Sequence, residues 1–174
     1  MVKQSQDLRV QQHQPRWYQR ITTRTAGSRV GAWFLSHTLH RMDLPVIRLS
    51  KGQRSVSSPL TGLPIVTLTT RGAKSGKSHR TPLIGVEEGD DVLVIASNWG
   101  RPHHPAWYHN LRANPKVILS MKGRTGTYVA REAIGDEREE YWRRGVGLYK
   151  GYESYEQRTR GRKIPVIVLT PKKD

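Results

Sequence analysis

The chain has 174 residues, enough for one domain with a real hydrophobic core. Lys and Arg number 30 against 14 Asp and Glu, a formal net charge of +16 that calls for an anionic partner without naming it. No cysteine is present, which excludes disulfides, thiolate nucleophiles and Cys-based zinc or iron–sulfur sites.

Residues 1–28 are polar and glutamine-rich, with Arg9, Arg16, Arg20 and Arg24 recurring through them. They read as a basic N-terminal arm with little to bury, followed by a single domain over 29–174. The arm opens with no apolar signal-peptide core, and no apolar run nears the roughly 20 residues of a membrane span. A soluble, cytoplasmic protein is expected. From Ser28 to Met42, Val30, Trp33, Phe34, His37 and Leu39 approximate one helical face. Such a basic amphipathic helix packs on the domain or lies on the inner face of a membrane.

Short strands follow. Val46–Ser50 alternates, Lys51–Gly62 is a Gly/Ser/Pro loop, and Ile65–Thr70 is β-branched. The next loop runs from Arg71 through Gly72, Ala73, Lys74, Ser75, Gly76, Lys77 and Ser78 to His79 and Arg80. Small residues let the backbone approach a ligand, and the interleaved cations and hydroxyls suit phosphate or carboxylate. A nucleotide-binding P-loop needs a Gly five positions before Gly76, where Arg71 stands, and a helix straight after. Here Thr81-Pro82-Leu83 leads into another apolar strand. The stretch is therefore an anion cradle between two strands, or a solvated basic hairpin.

Further strands are expected at Arg80–Val86, Val92–Ala96, Lys116–Met121, Thr127–Arg131 and Ile164–Leu169. That makes about seven, with spacers mostly too short for parallel crossovers. Helices are expected at Pro105–Ala113, at Asp136–Tyr149 with Asp136 as cap, and at Glu153–Arg158. The fold class is α+β, an antiparallel barrel with peripheral helices.

His103, His104 and His109 cluster in sequence without a neighbouring acid or a helical ligand spacing, so no metal is expected. Ala96-Ser97-Asn98 ends a buried strand and is small and polar, able to meet the edge of a planar ring. Trp107 and Tyr108 add aromatic surface. Tyr149, Tyr152 and Tyr155 repeat at three-residue spacing and could line a pocket mouth as proton donors, or be plain core and surface tyrosines.

These motifs, in this order, resemble the deazaflavin-dependent nitroreductase family, which uses coenzyme F420 on a split β-barrel, FMN-binding-like fold. The resemblance runs over about residues 45–171 and rests on Thr69–Gly76, Arg80–Leu83, Ala96–Asn98, His104–Leu111, Asn114-Pro115, the three tyrosines and Ile164–Val166. It implies an actinobacterial-type oxidoreductase that moves hydride from reduced F420 to a quinone or nitro-compound. It implies that Lys74, Ser75, Gly76, His79, Arg80 and Thr81, with Pro82 and Leu83, hold the coenzyme's phosphate and glutamate tail. Ala96, Ser97, Asn98, Trp107, Tyr108 and Asn110 would border its ring. Tyr149, Tyr152 and Tyr155 would face the acceptor, with Tyr152, another tyrosine or water supplying the proton. The chain departs from the pattern at Ala73 and His79, where many members carry Arg, and at Trp99, where Gly is common.

Three alternatives stay open at this level. A related split-barrel enzyme would use FMN. A carrier would bind the coenzyme without turnover. A nucleic-acid-binding protein would exploit the charge, but no recognition motif supports it, and no nucleic acid is expected. Association with a membrane surface through the N-terminal helix would suit a lipid quinone.

Overall fold

The computed structural model describes residues 63–172. The expected arm, the helix at 28–42 and the strand at 46–50 lie outside the described residues. Within them, six strands and three helices follow in the order β1 Ile65–Arg71, β2 Ser78–Glu88, β3 Asp91–Ile95, α1 Ala106–Ala113, β4 Lys116–Met121, β5 Arg124–Glu132, α2 Gly135–Leu148, α3 Gly151–Arg158 and β6 Val166–Pro171. The strands close into a barrel, β1-β2-β3-β6-β5-β4, and every neighbouring pair is antiparallel. Closure leaves no free sheet edge.

Strands β3 and β6 show why two stretches read as unbroken apolar runs. Val92 and Val94 of one, with Ala96 just past its end, and Ile167 and Leu169 of the other, fill the barrel interior with Val66, Leu68, Val117 and Leu119. The alternate residues Leu93, Ile95, Val166 and Val168 point outward and are covered by Trp142, Tyr149, Tyr152 and Tyr155 of the α2–α3 region. Both faces are buried, so the period-2 alternation disappears. Gly145 permits this packing, because a Cβ there would lie 2.2 Å from Ile95 Cδ1. Helix α1 covers the barrel interior from one side through Trp107, Tyr108 and Leu111.

Turn chemistry sets the hairpins. Lys122 and Gly123, at φ 47° and 75°, join β4 to β5 with two successive left-handed residues, as a tight hairpin requires. One cap differs from expectation. Helix α2 begins at Gly135, Ile134 holds the cap position without a side-chain bond, and Asp136 lies inside the first turn. There its charge still opposes the positive end of the helix dipole.

Candidate functional site

The hairpin tip between β1 and β2 is the first half of the site. Gly72 N–H donates to Lys77 O at 2.8 Å and Gly76 N–H to Gly72 O at 2.9 Å, closing a compact loop. Gly76 sits at φ 66°, a backbone state that favours glycine. The loop is anchored from α1. Asn110 Oδ1 accepts from Ala73 N–H at 3.0 Å, and its Nδ2 donates to Thr70 Oγ1 at 3.1 Å. Asn114 Nδ2 reaches Arg71 O at 3.5 Å. Asn110, which the resemblance puts at the ring wall, thus also orders the cradle loop. The motifs include Thr70 and Asn114 but give them no role, because that role depends on α1 crossing back over the hairpin.

Arg71, Lys74, Lys77, His79 and Arg80 are all exposed. Among the described residues none of them meets a carboxylate within ion-pair distance. Elsewhere Lys122, Arg131, Arg138, Arg144 and Lys163 each do. Ser75 Oγ lies 3.5 Å from His79 Nε2, so a hydroxyl and an imidazole stand together at the tip. This donor set fits the phosphate and carboxylates of a polyanionic tail.

The second half is the end of β3. The β2–β3 register pairs Gly85 with Val94. Of the expected ring-wall residues, Ala96, Trp107 and Tyr108 share one buried cluster against which Leu83 packs, while Ser97, Asn98 and Asn110 are not part of it. Thr81 and Pro82 stand half-buried on β2 between this cluster and the tip. Beyond Ala96 the chain turns sharply: Asn98, Trp99 and Gly100 have φ of 49°, 58° and 76°. Asn98 Nδ2 donates to His103 O at 2.8 Å, stiffening the turn.

Two residues here were not legible beforehand. Tyr108 hydroxyl donates to Glu132 Oε2 at 2.8 Å, and burial followed by this bond raises the phenol above its ordinary pKa. Glu132 is the acid that the histidine cluster lacked in sequence, and β5 supplies it. Arg162, between α3 and β6, bonds the strand end and contacts His104 Nδ1 at 3.2 Å. The His104 pKa is lowered, first by burial and then by Arg162. Among the described residues no group of three His, Asp or Glu could hold a metal.

The tyrosines lie elsewhere in character. Tyr149, Tyr152 and Tyr155, expected either at a pocket mouth or as plain core and surface tyrosines, are 6%, 4% and 2% exposed. Tyr149 and Tyr155 hydroxyls are 2.9 Å apart and bonded to each other. Burial is the leading cause that pushes all three phenols up in pKa. Trp99 packs edge-on to Tyr155 at 6.0 Å, linking the cluster to the turn at 98–100.

Comparison with known proteins bears on this arrangement. Residues 39–171 match the family described as F420H(2)-dependent quinone reductase. The chain belongs to that family. An F420H(2)-dependent quinone reductase of Mycobacterium tuberculosis is 36% identical over 111 residues, 62% of this chain and 73% of the relative. Another Mycobacterium tuberculosis protein named for the same activity is 36% identical over 110 residues, 63% of this chain and 92% of the relative. Among solved structures, an F420-H2 dependent reductase, FDR-A, shares 43% identity at a TM-score of 0.57, over 61% of this chain and 93% of that one. A structure described as a domain-swapped dimer shares 37% identity at a TM-score of 0.58, over 74% and 95% of the two chains. The family is one of F420-dependent oxidoreductases, so F420 rather than FMN is the cofactor.

Proposed function

We propose that the two halves of the site divide one coenzyme between them. Lys74, Ser75, Gly76, His79, Arg80 and Thr81 hold the phosphate and glutamate tail of F420, while Ala96, Ser97 and Asn98, backed by Trp107 and Tyr108, border its deazaflavin ring. Pro82 and Leu83 join the halves along β2. The observation that carries this reading is the cluster of exposed cations without carboxylate partners among the described residues, set at the same barrel end as a small, polar strand end. Asn110 acts one step back, holding the cradle loop from α1.

Reduced F420 supplies a hydride when bound. The chain's own work is to bind, orient and leave one side open to an acceptor. Exposed Lys74 and Arg80 give charge-assisted bonds to phosphate. The half-buried Ser97 and Asn98 offer polar groups at the ring edge without filling the space a flat ring needs. The acceptor is a quinone, and nitroaromatics of similar shape are a second class. The proton that follows the hydride is delivered by water. In favour of water over Tyr149, Tyr152 or Tyr155 stand the burial of the rings and the mutual bond of two hydroxyls. A membrane-surface role for the basic N-terminus is supported by the +16 charge and the apolar pattern at 28–42. It is read from liposome sedimentation with and without residues 1–40.

Anaerobic mixing with reduced F420 and a panel of quinones, nitroaromatics and enones tests the main reading. Coenzyme absorbance should change with quinones first. A protein that binds F420 but oxidises it with none of them is a carrier, and the reductase reading falls.

A further inference from the structure

Arg162 stands on the loop between α3 and β6, 65 residues along the chain from Ser97, and makes a dense set of bonds there. Nη2 donates to Ser97 O at 2.8 Å and to Arg101 O at 3.0 Å. Nε donates to Arg101 O at 3.2 Å, and Nη1 donates to Ala96 O at 3.3 Å. Nη1 also lies 3.2 Å from His104 Nδ1. One planar guanidinium therefore grips three carbonyls and an imidazole, a geometry that a lysine ammonium cannot reproduce.

What it grips is a turn that needs holding. Asn98, Trp99 and Gly100 are consecutive left-handed residues, and a bulky tryptophan at φ 58° is strained. Such strain persists only where surrounding contacts over-determine it. Helix α3 supplies one restraint, since a Cβ on Gly100 would lie 2.9 Å from Tyr155 O. Arg162 supplies the other. Two consequences follow from elementary geometry. In a trans peptide the C=O and N–H point opposite ways, so Ser97 O on Arg162 turns Asn98 N–H away from it. A guanidinium has only donors, so His104 Nδ1 accepts, and the neutral ring carries its proton on Nε2.

We propose that Arg162 is a positioning residue for the deazaflavin ring: it orients the Ser97–Asn98 peptide and fixes His104 as the Nε2–H tautomer. The proposal rests on the reading of Ala96–Asn98 as the ring site, and it concerns ring binding, not the cradle. The residue touches no reacting atom. It acts through the turn and through His104.

The test uses the full chain and two oxidised probes followed by their fluorescence: F420, and a deazaflavin riboside without phosphate or tail. Arg162→Gln should weaken both by the same factor, about tenfold or more. Lys74→Ala with Arg80→Ala should weaken F420 and leave the riboside unchanged, which separates ring from cradle. Arg162→Lys should recover part of the loss; full wild-type affinity in Arg162→Lys would overturn the role of the planar fork. If Asn98→Ala weakens the riboside and Arg162→Gln does not, the proposal fails and the ring site stands. If neither moves it, the ring-site reading itself fails. Nitrogen NMR of His104 in the wild-type protein is a readout independent of binding and of variant folding. Nε2–H is expected, and Nδ1–H would overturn the contact on which the proposal stands.

Discussion

The β1–β2 hairpin tip and the tyrosine cluster are both polar-looking stretches, and the fold treats them oppositely. At the tip, cations are exposed and the backbone carries the order: Gly72, Gly76 and the bonds from Asn110 shape the loop. In the cluster, the side chains carry the order. Tyr149 and Tyr155 hydroxyls bond each other, and the missing Cβ of Gly151 leaves room for the Tyr149 ring. Polar groups that the fold has already satisfied are part of the core. Polar groups that it leaves uncompensated are available to a ligand.

The sharpest way to break this contrast is to add one methyl on each side. Gly151→Ala would place Cβ 2.2 Å from Tyr149 Cζ and 2.3 Å from its hydroxyl. The ring cannot retreat in a packed cluster, so a loss of about 3 kcal/mol is expected from urea unfolding. Gly76→Ala meets only the Arg71 side chain, at 3.7 Å, and suffers from its φ of 66° alone. Its cost should be about 1 kcal/mol. Equal losses would remove the distinction between a packed and an open region.

Charge removal at the tip comes next in size. Lys74→Ala with Arg80→Ala should weaken F420 binding about thirtyfold, or ~2 kcal/mol, and more for longer glutamate tails. Isothermal titration with tails of different length checks it. Unfolding midpoints should not move, because neither cation has a carboxylate partner among the described residues. An unaltered affinity would reduce the tip to a solvated hairpin.

How far the sequence carries depends on the range of each interaction. The strands at 65–70, 92–96 and 116–121 and all three described helices are legible, because composition, period and turn residues are local signals. The cradle is legible for the same reason: its cations and glycines are contiguous. The bonds from Asn110 to Thr70 and Ala73 are not legible, since nothing local shows that α1 hands its amide to the cradle loop. Arg162 and Glu132 went unnoticed because each meets its partner only after barrel closure. The tyrosine spacing was seen correctly, but spacing cannot say whether a phenol faces solvent or core. Their packing with Trp142 against Leu93, Ile95, Val166 and Val168 decides that.

A smaller effect separates structure from catalysis in the cluster. Tyr155→Phe takes a partner from the buried Tyr149 hydroxyl, so about 1–2 kcal/mol of stability should be lost. Turnover with reduced F420 and quinone should stay within about twofold for Tyr155→Phe and Tyr152→Phe once folding is secured. A large fall in kcat at unchanged coenzyme affinity would return the tyrosines to the mechanism as proton donors.

The smallest expected effect concerns pH. Burial, then the charges of Arg162, His109 and Arg112, hold His104 below its ordinary pKa, and Glu132 opposes them. The unfolded chain therefore binds a proton more readily than the folded one. The stability that neutral His104 contributes is complete above about pH 6.5 and is lost as pH falls through the lowered folded value. Urea midpoints at pH 7.5 and 5.5 should differ in the wild type, and the difference should narrow in His104→Gln, whose amide can still accept from Arg162. Partial exposure of the ring keeps the effect modest. A midpoint shift of the same size in both proteins would mean that His104 binds its proton as readily in the fold as in the unfolded chain. The hydrogen bond from Arg162 would then not favour the neutral ring, and the carbonyl bonds alone would account for its hold on the turn at 96–101.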